Sequence, residues 1–166
     1  MKIYASDIDV SELNRLKPWS QHYLINDRFR LGRYENDCES TIVDLESNNF
    51  EIKSSDYQNF WNFPRFTMLE NIVSLMGPLG SVLDIGCLDG RKTIDCSIKG
   101  ASSVLGIDIR EESIARSNYI KEIALQDNEL KDFLKNVSFK YVNKSADSKE
   151  FVDAINKKFD TVCSLG

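Results

Sequence analysis

The sequence predicts an α/β fold built on a doubly wound parallel sheet, and two observations carry that prediction. From residue 64 to the end, short apolar runs alternate with segments whose apolar residues have helical spacing. This alternation is typical of a parallel sheet covered by helices on both faces. In addition, the run that begins at Ser81 ends in an acid, Asp84, followed by a turn with two glycines and a helical pattern from Arg91. A strand, a glycine turn and a helix N-terminus in this order open a ligand crevice in many α/β proteins.

Each element of the sheet follows from a local pattern. Apolar or alternating runs predict four strands, at residues 81–85, 103–108, 137–142 and 159–166. Helical spacing predicts helices over 64–76, 91–99 and 149–157, and a further helix that begins near Arg110. Right-handed crossovers would place the strands in the order 3-2-1-4, with the crevice between strands 1 and 4. This is a Rossmann-like arrangement.

Composition limits the classes of function. The 166 residues are 42% hydrophobic and carry a formal net charge of −5, which disfavours a broad nucleic-acid surface such as a tRNA site. Four cysteines without Cys-x-x-Cys spacing and a single histidine predict no metal site and a reduced, cytoplasmic setting. The sequence has no apolar stretch of membrane-spanning length and no signal peptide, so we expect no membrane association.

Two acids and a glycine loop carry a resemblance to a known family. The segment Asp84-Ile-Gly-Cys-Leu-Asp-Gly90, together with Asp108 at the tip of the second strand, is similar to the signature of class I S-adenosylmethionine-dependent methyltransferases. It matches that signature at both acids and the outer glycines, and departs at Leu88, where many members have a middle glycine. A nicotinamide-dependent oxidoreductase is the less favoured alternative, because Cys87 and Leu88 interrupt the Gly-x-Gly that a pyrophosphate needs.

The resemblance implies S-adenosylmethionine as cofactor and a role for each matching position. Asp108 would accept hydrogen bonds from the ribose hydroxyls, or would instead cap the helix at Arg110. Gly86 and Gly90 would let the backbone approach the methionine part, or would serve only the turn; Asp84 would hold the ammonium group or brace the loop. Ile109 would pack on the adenine or in the core, and Asp147 would contact the adenine or cap a helix. The implied cofactor-binding residues are Asp84, Gly86, Cys87, Gly90, Asp108, Ile109, Ala146 and Asp147.

Residues 1–63 differ in character and are rich in aromatic side chains. Local patterns predict a short helix over 12–16 and a hairpin over 22–31. The resemblance implies that this N-terminal extension covers the cofactor pocket as a lid; packing of the extension onto the domain is the simpler alternative. Residues 64–166 would then be the cofactor-binding half of a methyltransferase domain.

The acceptor and the catalytic base are not identified by any motif. Small-molecule, sugar, tRNA and protein acceptors all stay open, and acidity favours a small molecule. Cys87 is expected to be a small buried hydrophobe rather than a nucleophile, and His22 a packing or surface residue rather than a general base. Arg91 is expected to be a solvated side chain, with contact to the ligand carboxylate as the alternative. Because the resembling family continues beyond strand 4, we expect either a fragment of a longer protein or a homo-oligomer paired through the strand 4 edge. A non-catalytic interaction module with the same fold is the alternative function.

Overall fold

The computed structural model describes residues 1–32, 42–47, 71–75, 77–144 and 148–164, and these residues form two four-stranded sheets. The first sheet contains β1 (Lys2–Ile3), β2 (Tyr23–Ile25), β3 (Phe29–Leu31) and β4 (Ile42–Asp44), and the second contains β5 (Ser81–Ile85), β6 (Ser103–Asp108), β7 (Val137–Tyr141) and β8 (Thr161–Cys163). The helices described from end to end are α1 (Val10–Arg15), α2 (Arg91–Ile98), α3 (Glu111–Ala124), α4 (Lys149–Ile155) and a 3₁₀ helix (Phe133–Asn136), and residues 71–75 are also helical. No helix among these described residues is both long and apolar enough to span a bilayer.

The second sheet confirms the predicted architecture. All its strands are parallel, in the order β7-β6-β5-β8, which is the predicted order 3-2-1-4. Strand β5 is central, and its residue Asp84 lies opposite Gly106 of β6 and Cys163 of β8. Of the predicted helix over 64–76, residues 71–75 are helical, whereas 64–70 and 76 lie outside the described residues. Strand β8 is shorter than predicted, and residues 165–166 also lie outside the description.

The first sheet contains the predicted hairpin and two strands that the sequence analysis missed. Strands β2 and β3 pair antiparallel as expected, while β1 pairs parallel to β2 and β4 pairs with β3. Helix α1 begins earlier than predicted, because the Asp9 carboxylate accepts hydrogen bonds from the amides of Ser11 and Glu12 and caps the helix.

Both faces of the second sheet are covered, since successive strand residues point to opposite sides. On one face, Val82 shares a core with α2, α3 and the first sheet, so that Trp19 and Tyr23 belong to the same apolar cluster as Ile94. On the other face, Leu83 and Ile107 pack with Val142 and with Phe151 of α4 in a smaller cluster. The sheet is therefore doubly wound, and its carboxyl-terminal edge lies between the two layers of cover.

Candidate functional site

A cavity of about 430 Å³ opens at the carboxyl-terminal edge of the second sheet. Its volume is within the range of small-molecule sites, and its walls are mainly apolar with a few charged groups. The residues that line it are Ile85, Gly86, Ile107, Asp108, Ile109, Arg110, Val142, Lys144 and Phe151. Three of the residues predicted to bind a cofactor, Gly86, Asp108 and Ile109, therefore meet in one cavity.

Asp108 ends β6 and is the buried acid of this cavity, with 4% of its surface exposed. Its carboxylate accepts hydrogen bonds from the backbone amides of Leu88 (3.0 Å) and Arg110 (3.0 Å). It also accepts two from the Arg110 guanidinium, at 2.9 Å from Nε and 3.1 Å from Nη2. Burial raises the pKa of Asp108, but these hydrogen bonds lower it by more, and the pKa lies below its ordinary value. Asp108 is thus a carboxylate at neutral pH.

The glycine loop is anchored to β6 through its backbone. The amides of Gly86 and Cys87 both donate to the carbonyl of Ile107, at 2.9 Å each. Gly86 has φ +74°, and a Cβ at that position would meet no atom within 4 Å. The loop therefore presents bare backbone to the cavity at Gly86.

Leu88 takes the backbone conformation that a glycine adopts easily. Its φ is +54°, although it is a leucine. Two hydrogen bonds hold it there: its amide donates to Asp108, and its carbonyl accepts from the Ser117 hydroxyl at 2.9 Å. Leu88, which stands where the resemblance leads one to expect a glycine, therefore has a left-handed backbone conformation.

Asp84 lies beneath the loop and is not one of the residues that line the cavity. It is 2% exposed, and its carboxylate accepts a hydrogen bond from the Thr93 hydroxyl of α2 at 2.7 Å. Burial raises the pKa of Asp84, and the Thr93 bond opposes that rise. This contact links β5 to α2, as expected of a residue that braces the loop.

Gly90 and Cys87 also lie outside the cavity lining. Gly90 precedes α2 with φ +82°, and a Cβ there would lie 2.7 Å from Phe139 Cζ and 2.9 Å from Ser117 Oγ. Glycine is therefore required at this position by packing. The Cys87 side chain is buried, and burial raises the pKa of its thiol to about 12. It is a protonated thiol at neutral pH.

Asp89 is a buried residue with several hydrogen-bond partners, a role that the sequence did not predict. Its side chain is fully buried and accepts hydrogen bonds from the amides of Ser20 and Gln21 and from Arg116 Nε, the last at 2.6 Å. Its carbonyl accepts from the Tyr23 hydroxyl at 2.7 Å. The residue joins the glycine loop to the N-terminal segment and to α3. The signal for this role was its place inside the loop motif, but its partners are distant in the chain.

Arg91 is not solvated, and that prediction is wrong. Its surface is 6% exposed because the N-terminal segment covers the start of α2. Its amide donates to Gln21 Oε1 at 2.8 Å, and its Nη1 donates to the His22 carbonyl at 2.6 Å. The His22 ring lies against Gly32, where a Cβ would come within 2.1 Å of His22 Cδ2.

The remaining predicted positions divide into one exposed residue and two outside the description. Ile109 is 65% exposed at the cavity wall, so it is not a core residue. Ala146 and Asp147 lie outside the described residues. Within the described ranges, no three histidine, cysteine or acidic side chains are grouped closely enough to hold a metal ion.

Comparison with known proteins gives likenesses of structure. The sequence matches no protein-family model and no curated protein sequence. The N-terminal domain of EvdMO1 was solved with SAH (S-adenosylhomocysteine) bound. It superposes with a TM-score of 0.52 at 19% identity, over 93% of this chain and 53% of that one. The full EvdMO1 structure gives a TM-score of 0.52 at 18% identity, over 95% of this chain and 29% of that one.

The chain has the class I methyltransferase fold. Identities below 20% make this a likeness of fold, and the chain spans about half of the EvdMO1 domain or less than a third of the whole EvdMO1 chain. A looser match is magnesium protoporphyrin IX methyltransferase (ChlM) from Synechocystis PCC 6803 with bound SAH, at a TM-score of 0.42 and 20% identity, over 69% of this chain and 47% of that one. In the class I methyltransferase fold described here, the acid and the glycine loop of the predicted motif lie at the open edge of the sheet.

Proposed function

We propose that this chain is the cofactor-binding part of an S-adenosylmethionine-dependent methyltransferase. The observation that carries the proposal is the meeting of a buried carboxylate, Asp108, with the bare backbone of Gly86 in one cavity at the sheet edge. The SAH bound to the EvdMO1 domain of the same fold supports it.

The cavity fits the adenosine half of the cofactor. Asp108 would accept hydrogen bonds from the ribose hydroxyls, because a carboxylate is a strong acceptor for two neighbouring donors. Ile109 and the apolar walls formed by Val142 and Phe151 would pack on the faces of the adenine. The residues present thus offer both chemistries that a nucleoside requires.

Gly86 would border the methionine half. Without a Cβ, it lets a ligand lie directly against the backbone, and the adjoining space is open. Asp84 would act at one remove, by holding α2 and the loop through Thr93. The cofactor supplies an already activated methyl group, so the protein's task is to position the two reactants.

The test is calorimetric titration of S-adenosylhomocysteine into the protein, with NAD titrated in parallel. We expect S-adenosylhomocysteine alone to bind, and Asp108→Asn to weaken binding by about 1–3 kcal/mol through loss of a charged acceptor. Asp160→Asn is the matched control. Asp160 accepts hydrogen bonds from Ser81 at the amino-terminal end of β5, whereas the cavity lies at the carboxyl-terminal ends of the strands. Equal affinity in Asp108→Asn and the wild type would disprove the ribose assignment.

Two other results would favour other functions. Binding of NAD alone would favour an oxidoreductase. Binding of neither ligand would favour a non-catalytic interaction module with this fold.

A small-molecule acceptor and a cytoplasmic setting remain proposals. The net charge of −5 supports a small acceptor over tRNA. The described cysteines, Cys87, Cys96 and Cys163, are free thiols, which supports a reducing compartment.

We also propose a homo-oligomer paired through β8. Val162 of β8 is 58% exposed, which supports an accessible edge. Sizing over a range of protein concentrations tests it, and a monomer at every concentration would exclude it.

A further inference from the structure

The carboxylate of Asp108 is saturated by donors of the protein itself. Two oxygens offer about four acceptor positions, and four N–H groups occupy them. Oδ1 accepts from the Arg110 amide and Nε, and Oδ2 accepts from the Leu88 amide and Arg110 Nη2. A ribose diol has two O–H donors to offer, and these need two of the four positions.

Only two of these four donors are free to leave. The amides of Leu88 and Arg110 belong to the glycine loop and to the start of α3, and both are fixed by the backbone. The guanidinium of Arg110 stands on a flexible side chain that is 49% exposed, whereas the Asp108 side chain is 2% exposed. The arginine therefore closes the carboxylate from the solvent side, where the cavity is open.

We propose that Arg110 is an internal competitor for the ribose site: its guanidinium holds the Asp108 carboxylate until a vicinal diol replaces its two N–H donors. This inference rests on the proposed function. Arg110 lowers the affinity of the site for nucleosides that carry a vicinal diol, because their binding breaks its ion pair with Asp108. In the unliganded protein it keeps the buried carboxylate paired.

The size of the effect follows from the exposure of the arginine. Ion pairs with one solvated partner contribute little to stability, so displacement costs little. Removing the guanidinium should therefore raise the affinity for S-adenosylhomocysteine by about two- to fivefold. A larger gain would require a buried arginine.

The experiment compares the wild type with Arg110→Met by calorimetric titration of S-adenosylhomocysteine. Methionine keeps much of the length of the side chain without its charge or donors. Arg15→Met is the matched control: Arg15 makes a two-pronged ion pair with Glu12 on α1, and neither residue lines the cavity. We expect tighter binding in Arg110→Met and unchanged binding in Arg15→Met. A cooperative thermal unfolding transition in each of the three proteins verifies that all of them are folded.

A second arm asks whether the diol is what displaces the arginine. Adenosine and 2′,3′-dideoxyadenosine are both uncharged, so the lost positive charge of Arg110 does not itself attract or repel them. The preference for adenosine over its dideoxy analogue should grow about two- to fivefold in Arg110→Met, because the analogue binds without displacing the guanidinium. A merely structural role of Arg110 would leave this preference unchanged.

The outcomes separate the two proposals. Equal or weaker binding of S-adenosylhomocysteine by Arg110→Met, with clear binding by the wild type, would overturn the competitor role and leave the proposed function standing. An unchanged adenosine preference would overturn it as well. Failure of both proteins to bind S-adenosylhomocysteine would overturn the proposed function and this inference together.

Discussion

At the scale of single residues, the two glycines of the loop motif serve different ends. Gly86 faces the open cavity, while Gly90 is pressed against Phe139 and Ser117. A sequence motif marks both positions as glycine, but it cannot assign these roles. The reason is that a Cβ at Gly90 would meet atoms of β7 and α3, which are brought there only by the fold.

This difference predicts the cost of adding a methyl group. Gly90→Ala should lower the free energy of unfolding by about 1–2 kcal/mol for its positive φ and by about 1–3 kcal/mol more for overpacking. Gly100→Ala is the control, with φ +92° and no atom within 4 Å of a Cβ, so only the first cost applies. Urea denaturation measures both. Equal losses in the two variants would mean that Phe139 moves aside freely.

At the scale of elements, patterns predicted the longer strands and missed the shortest ones. β5 and β6 are five and six residues long, are largely buried, and were predicted at their observed bounds. β1 has two residues and β4 has three, which is too short for a period-two pattern to show. β2 and β3 are equally short, but the turn residues Asn26 and Asp27 between two apolar runs predicted them as a hairpin. Asp89 was missed for a related reason, since its role depends on four partners that are distant in the chain.

The buried ion pair of Asp89 and Arg116 should hold those elements together. Asp89→Asn leaves the Arg116 guanidinium buried without a counter-charge and should cost about 3–5 kcal/mol of unfolding free energy. The double variant Asp89→Asn/Arg116→Met should recover part of that loss, because it removes the unpaired charge. Asp132→Asn breaks the exposed pair with Lys135 and should cost at most about 1 kcal/mol. If Asp89→Asn and Asp132→Asn lower the free energy of unfolding by the same amount in urea denaturation, the Asp89–Arg116 ion pair does not stabilise the fold.

The pair of Arg28 and Asp44, beside β3 and β4, should make the first sheet sensitive to acid. Hydrogen bonds from Arg28 lower the pKa of Asp44 from 3.8 to about 2. The native state therefore binds this proton more weakly than the unfolded chain. The resulting stabilisation is present above about pH 3.8 and is lost as the pH falls through about 2.

We therefore expect Asp44→Asn to flatten the dependence of unfolding free energy on pH between these values. Arg28→Gln should flatten most of it, because the pKa shift comes mainly from that arginine, with smaller contributions from the Glu46 and Ser47 backbone. Urea denaturation at several pH values measures the slope. A slope unchanged in both variants would assign the acid sensitivity to other carboxyl groups.

At the scale of the whole molecule, the two sheets share one apolar core. Trp19 is 1% exposed, donates its indole N–H to the Leu13 carbonyl, and belongs to the cluster that contains Val82, Val104 and Ile120. A change in composition divides the sequence at residue 64. Composition is a local property, whereas a shared core depends on contacts between distant residues, so that division does not predict independent folding.

We expect the chain to unfold in a single cooperative transition, because neither sheet can lose its partner without exposing this core. Trp19→Ala should lower the free energy of unfolding by about 3–5 kcal/mol, the cost of a cavity left by a large buried side chain. Hydrogen exchange locates the loss: amides of β5 and β6, which do not belong to the first sheet, should lose as much protection as those of β2. Protection lost in β2 alone would show instead that the first sheet opens separately, and the N-terminal segment would then be free to move as a lid over α2.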